Sequence, residues 1–170
     1  MTKLATENEQ DVADPIHPPI NSLPDALTFR LARLVAVNDH IGSRVFREAY
    51  GISLNEWRVL GLVSATSPVM FGHIRKILLI DKGQLSRIVK RLTDRGVLVA
   101  RPSKNDARAI ELTLSEEGQL LHDQVLRFTA ERNEEVVATL TREECSEFIR
   151  ILRKITVHNY ELSELAGLLE

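Results

Sequence analysis

Between Lys82 and Asp94 the apolar residues Leu85, Ile88, Val89 and Leu92 recur at the i, i+3, i+4, i+7 spacing of one helical face, while Lys82, Ser86, Arg87, Lys90 and Arg91 fall on the other. Asp81 stands where a cap is expected, Gln84 falls at the third helical position, and Gly96 stops the segment. Upstream, Leu27, Leu31, Leu34, Val35, Ile41 and Val45 predict a first amphipathic helix from Asp25 to Tyr50, ended by Gly51. Ser53 with Glu56 makes a capping box for a second helix from Leu54 to Ser64, which carries Trp57, Leu60 and Val63. Residues 66 to 69, with Pro68, read as a break, and a short third helix is expected from Phe71 to Leu79.

After Gly96 the period changes from 3.6 to 2. Val97, Leu98 and Val99 lie on one side of a polar tip, Arg101 to Arg108, and Ile110, Leu112 and Leu114 on the other, which predicts a β-hairpin. Ser115 with Glu116 and Glu117 opens a long helix, and Thr141 with Glu144 caps a last one carrying Phe148, Ile151, Leu152, Ile155, Leu162 and Leu165. The expected fold is mainly α with a small β-hairpin wing: a winged helix-turn-helix domain plus N- and C-terminal dimerisation helices. Its parts are a flexible tail over 1–22, helix one over 23–50, the winged domain over 51–114 and the C-terminal helices over 115–170. The two last helices and helix one carry more apolar stripe than one small winged domain needs, so either they fold back on their own chain or, as expected here, a second copy covers them in a homodimer.

At 170 residues and 44% hydrophobic content the chain can bury one substantial core. No run approaches the roughly 18 apolar residues of a membrane span, and residues 1–20 are polar, acidic and proline-bearing, unlike a signal peptide. A cytoplasmic protein with no membrane partner is the expectation. The net charge of -2 conceals an asymmetry: residues 72–108 hold ten basic and three acidic side chains, a net +7, whereas residues 109–170 hold six and thirteen, a net -7. Such a distribution directs a polyanion to the middle of the chain and repels it from the end.

A helix entering the major groove needs short or flexible side chains at its N-terminus. Lys82, Gly83, Gln84, Ser86 and Arg87 suit that demand, with Arg87 able to pair bidentately with guanine, Gln84 able to read adenine if it is not engaged in capping, and Lys90 and Arg91 placed for phosphates. At the hairpin tip Arg101, Ser103, Lys104, Asp106 and Arg108 are the candidates, with Asp106 two residues before Arg108, where an ion pair can orient the guanidinium for a narrow minor groove.

In this order the residues from Ile80 to Gly118 resemble the winged helix-turn-helix of the MarR family of dimeric bacterial regulators. The likeness includes Asp106 and Arg108 of the wing tip, the run Leu112, Thr113 and Gly118, and Trp57 in the second helix, and it extends over residues 25–165. Ala100 and Ala107 stand where family wings usually carry basic residues, so this wing is less charged than most. The resemblance implies a homodimer on a pseudo-palindromic double-stranded operator, usually a repressor released by a small molecule.

It also implies an effector pocket between the interface helices and the winged lobe. Arg30, Arg33, Asn38, His40, Arg44 and Trp57 are the ligand candidates, near Phe46 and Tyr50; in a chain only 5% aromatic, rings beside cations suit an aromatic carboxylate or its coenzyme A thioester. The alternative is that Arg33 and Arg44 make interface ion pairs and His40 is an ordinary helical histidine. A redox-responsive regulator working through Cys145 and a non-specific architectural DNA-binding protein are the competing functions. The five histidines are scattered at no ligating spacing, and no nucleophile elbow, phosphate loop or HExxH motif is present, so neither a metal, a cofactor nor an enzyme is expected.

Overall fold

The computed structural model describes residues 15–104, 106 and 108–165. The first fourteen positions of the expected tail, Asn105 and Ala107 of the wing tip, positions 166–170 and the Leu165 side chain lie outside the described residues. The elements are α1 (Leu27–Tyr50), α2 (Leu54–Ala65), β1 (Val69–Met70), α3 (Phe71–Leu78), α4 (Lys82–Asp94), β2 (Leu98–Pro102), β3 (Ile110–Leu114), α5 (Glu116–Val137) and α6 (Arg142–Leu165). The fold is mainly helical with a small antiparallel sheet.

The chain divides into two compact units, 1–37 and 38–170. In the first, helix one begins with the first residue of its apolar pattern, Leu27, two positions later than the expected start at Asp25. Pro24 sits inside a 3-10 turn, Leu23–Asp25, and Asp25 Oδ2 accepts from the Ser22 N–H at 2.8 Å and the Ser22 hydroxyl at 2.8 Å, so Asp25 closes the turn instead of opening the helix. Those bonds, the hydroxyl bond first, hold the Asp25 carboxyl below its ordinary pKa.

In the second unit Ser53 and Glu56 form both halves of the capping box: Glu56 Oε2 accepts from Ser53 N at 2.7 Å and Ser53 Oγ from Glu56 N at 3.2 Å. One core gathers Phe46 of α1, Val59, Leu60 and Val63 of α2, Ile74 of α3, the α4 stripe, Leu98 of β2, Leu112 of β3 and Val125 of α5. The expected hairpin is formed by β2 and β3, and the sheet gains a third strand that the break expected at 66–69 did not include. Residues 69 and 70 pair with the free edge of β3, Val69 opposite Leu112 and Met70 opposite Glu111, giving the order β1-β3-β2. A two-residue strand has no alternation to detect, and Val69 is held by burial as much as by pairing.

One corner sets the angle between α4, the wing and α5. Gly96, at φ +74°, ends α4 in a Schellman turn, with Val97 N donating to Leu92 O at 3.1 Å and Gly96 N to Thr93 O at 2.9 Å. Ser115 then ties the start of α5 to this turn, its hydroxyl donating to Gly96 O at 2.6 Å while its backbone N–H meets Val97 O at 3.3 Å. The buried face of α5 is Gly118, His122 and Val125.

None of the described side chains of the 24-residue α6 is buried, and Phe148, Ile149, Ile151, Leu152, Val157, Tyr160 and Leu162 are exposed on it. Among the described residues no helix is long and apolar enough to cross a membrane.

Candidate nucleic-acid interface

Helix α4 is held from one side only. Leu85, Ile88, Val89 and Leu92 are buried, while Lys82, Gly83, Ser86, Arg87, Lys90 and Arg91 are exposed and Gln84 is half-buried. Asp81 caps it, Oδ1 accepting from Gln84 N at 2.8 Å. The reciprocal bond, from the Asp81 backbone N–H to the Gln84 side-chain oxygen, which would complete a capping box, is not formed, so the Gln84 amide is not engaged in capping. At Gly83 a Cβ would meet Asp81 Oδ1 at 3.2 Å and Arg87 Nη1 at 3.6 Å, so glycine leaves room for the guanidinium against the first turn.

The two cations at the far end of α4 are differently placed from what the helical wheel implies. Lys90 Nζ lies 2.7 Å from Asp94 Oδ2, an exposed i, i+4 pair of small energetic weight. Arg91 Nε lies 3.1 Å from Glu56 Oε1, and the Glu56 side chain is only 8% exposed. Arg91 is therefore a bracket between α4 and α2 rather than a free phosphate hook. Removing Glu56 would leave Ser53 N without its cap and Arg91 without its partner. Glu56→Ala is expected to lower stability by about 2 kcal/mol, and Glu56→Gln, which keeps the cap, by about half as much; thermal unfolding measures both.

The wing brings a second correction. Asp106 Oδ1 accepts the backbone N–H of Arg108 at 2.9 Å, and Ala109 N donates to Asp106 O at 2.9 Å, so the aspartate shapes the turn and does not pair with the guanidinium. Ser103 is not presented to a ligand either: it is 5% exposed, its hydroxyl donating to Glu111 Oε1 at 2.7 Å and its N–H to Ala109 O at 2.8 Å. Both residues organise the tip that carries the exposed Arg101, Lys104 and Arg108. Among the described residues, no ion pair engages Lys82, Arg87, Arg101, Lys104 or Arg108. Beside this face an open groove of about 530 Å³ runs between Ser53, the cap of α2, with Asn55 of its first turn, and Gln84, Arg87, Ile88, Lys90, Arg91 and Asp94 of α4.

The ligand candidates divide. Arg30 and Arg33 line a hollow of about 460 Å³ with Pro24 and Phe29, and Arg30 Nε donates to Pro24 O at 2.9 Å. In the second unit, Asn38 is half-buried, His40 is exposed, and Arg44 Nε is engaged by Glu48 Oε1 at 2.8 Å. Trp57 belongs to the core: its ring stacks on Phe46, with centroids 6.3 Å apart, and faces the buried His122 at 5.4 Å. Phe128 of α5 completes this cluster edge-on to Phe46, and neither it nor His122 stands out in the sequence, since each is one apolar-face position among many. His122 Nδ1 lies 2.9 Å from Asp123 Oδ1; that hydrogen bond, followed by one from Gln119, holds the Asp123 carboxyl below its ordinary pKa. Among the described residues, no group of three His, Cys, Asp or Glu side chains is arranged to hold a metal ion. Cys145 is half-buried on α6.

A model of the MarR family matches residues 50–109. The multiple antibiotic resistance protein MarR of Salmonella typhimurium is 26% identical over 105 residues, 61% of this chain and 73% of that protein. Among solved structures, a MarR/EmrR family transcriptional regulator from Acinetobacter sp. ADP1 superposes with a TM-score of 0.71 at 25% identity, covering 79% of this chain and 94% of that one. BpsR of Bordetella bronchiseptica, whose DNA binding is regulated by 6-hydroxynicotinic acid, has the same fold, with a TM-score of 0.68 at 19% identity, over 76% of this chain and 97% of its own.

Proposed function

We propose that the chain, which matches a model of the MarR family over residues 50–109, is a winged-helix member of that family and a ligand-responsive, sequence-specific DNA-binding transcriptional regulator that acts as a homodimer, in the first instance as a repressor. The observation that carries this is the face of α4: its apolar stripe is packed, and its first turns present Lys82, Gly83, Gln84, Ser86 and Arg87, with no ion pair at Lys82 or Arg87 among the described residues. Such a face fits base edges in a major groove, and Arg101, Lys104 and Arg108 of the wing fit the backbone or minor groove beside it.

The dimer is supported by α6, whose apolar side chains Phe148, Ile149, Ile151, Leu152, Val157, Tyr160 and Leu162 its own chain leaves exposed. Residues 23–50 and 115–170 are assigned to that interface and residues 51–114 to the reading head, so that a two-fold axis presents two copies of α4 to a pseudo-palindrome. For the effector, an aromatic carboxylate or its coenzyme A thioester is favoured by the hollow where Arg30 and Arg33 stand beside Phe29, and by the fold shared with a regulator that responds to a hydroxylated aromatic acid.

The test is fluorescence anisotropy of the purified protein, with its dimeric state checked by sedimentation, on duplex DNA from upstream of its own gene and on a scrambled duplex. A preference of at least about 10³ for the first is expected, abolished by one member of a panel of aromatic acids and their coenzyme A esters. Equal binding to both duplexes would instead mark an architectural DNA protein.

A further inference from the structure

We infer that the first turn of α2 supplies a DNA-backbone contact, the Asn55 side-chain amide, aimed by a relay that starts on α1. The inference rests on the DNA-binding reading above. Asn55 lines the groove beside α4, facing Arg87 and Lys90 across it. Its Oδ1 is already committed, accepting from Arg58 Nη1 at 3.0 Å, and an arginine can only donate, so the amide orientation is dictated and both Nδ2 hydrogens remain to donate. Arg58 is in turn immobilised: Nη2 meets Asp39 Oδ1 and Oδ2, each at 2.9 Å. Asp39 of α1 thus fixes Arg58, Arg58 fixes Asn55, and Asn55 presents a neutral donor to the groove.

The charges of the groove select its occupant. Lys90 is balanced by Asp94 and Arg91 by Glu56, which leaves Arg87 as the uncompensated cation. The Arg87 charge gives the groove a net positive potential that draws a polyanionic strand while its guanidinium stays with the bases, and the neutral Asn55 donor suits a monoanionic phosphodiester better than a phosphate monoester or a coenzyme A moiety. The groove is also open to solvent, as a polymer strand that enters and leaves requires. When α4 lies in a major groove, the strand bordering that groove passes the flank of the helix, where Asn55 stands. Backbone contacts of this sort set register and carry no sequence information.

The test is anisotropy with Asn55→Ala on the cognate and scrambled duplexes, and on cognate duplexes carrying a neutral methylphosphonate at one flanking phosphate at a time. Asn55→Ala is expected to weaken both unmodified duplexes by about tenfold per half-site, with their ratio and the melting temperature little changed. Asp39→Asn, distant from DNA but loosening Arg58, is expected to weaken binding by about threefold in the same sequence-independent way. One methylphosphonate should penalise the wild type and leave Asn55→Ala indifferent, the signature of a lost contact rather than a damaged fold. Wild-type affinity in Asn55→Ala, or an affinity loss with undiminished sensitivity to every methylphosphonate, overturns the contact. A wild-type protein that binds no duplex overturns the regulatory reading and this contact with it.

Discussion

Gly118→Ala is expected to be the most damaging single-methyl change in the described part of the chain. A Cβ at this position would collide with Val97 O and lie 2.9 Å from Val97 C. Both are backbone atoms, and Val97 O already accepts from Ser115 N, so nothing at the end of a flexible side chain can swing aside. Relief requires α5 to lift off the corner where α4 ends and β2 begins, which opens the bonds from Ser115 to Gly96 and Val97 and shifts the buried His122 and Val125. Overpacking of a well-filled interior typically costs 1–3 kcal/mol, and a backbone collision places this case at or beyond about 3 kcal/mol. For a chain of this size that lowers the melting temperature by roughly 10 °C, measurable by calorimetry. A variant within about 2 °C of the wild type would show that α5 does not pack so closely on the wing corner.

The second large effect concerns reading rather than stability. Arg87→Ala is expected to reduce discrimination between cognate and scrambled duplex by about 1–3 kcal/mol per half-site, roughly 5- to 150-fold, with thermal stability unchanged because the side chain is exposed and, among the described residues, outside every ion pair. Arg108→Ala, on the wing, should weaken both duplexes in parallel and reduce the salt dependence of binding. Loss of affinity without loss of preference in Arg87→Ala would reassign that residue to the phosphates. Equal and negligible effects from both would remove α4 and the wing from the interface.

How far the molecule can be read in advance depends on how local each determinant is. The bounds of α4 are legible because its stripe, its Asp81 cap and its Gly96 stop lie within one short stretch of chain. The fate of its cations is not. On a helical wheel Arg91 and Arg87 look alike, and only the packing of α2 across α4, which brings a buried Glu56 to 3.1 Å, separates a bracket from a reading residue. Asp106 illustrates a different ambiguity: an aspartate two residues before an arginine can pair with the side chain or cap its backbone N–H, and here, with Ala109 N bonded to Asp106 O, the second is formed. Trp57 and its neighbours Phe46 and Phe128 are aromatic in the sequence but become a core cluster only when α1, α2 and α5 converge.

The most direct measurement is selection of bound duplexes from a random-sequence pool by the purified protein, followed by sequencing. The account predicts enrichment of an inverted repeat whose half-site centres lie about 34–36 Å apart, one helical turn, as two copies of α4 related by a two-fold axis require. A pool that emerges without any enriched motif, or with a single unrepeated site bound by one chain, would contradict it.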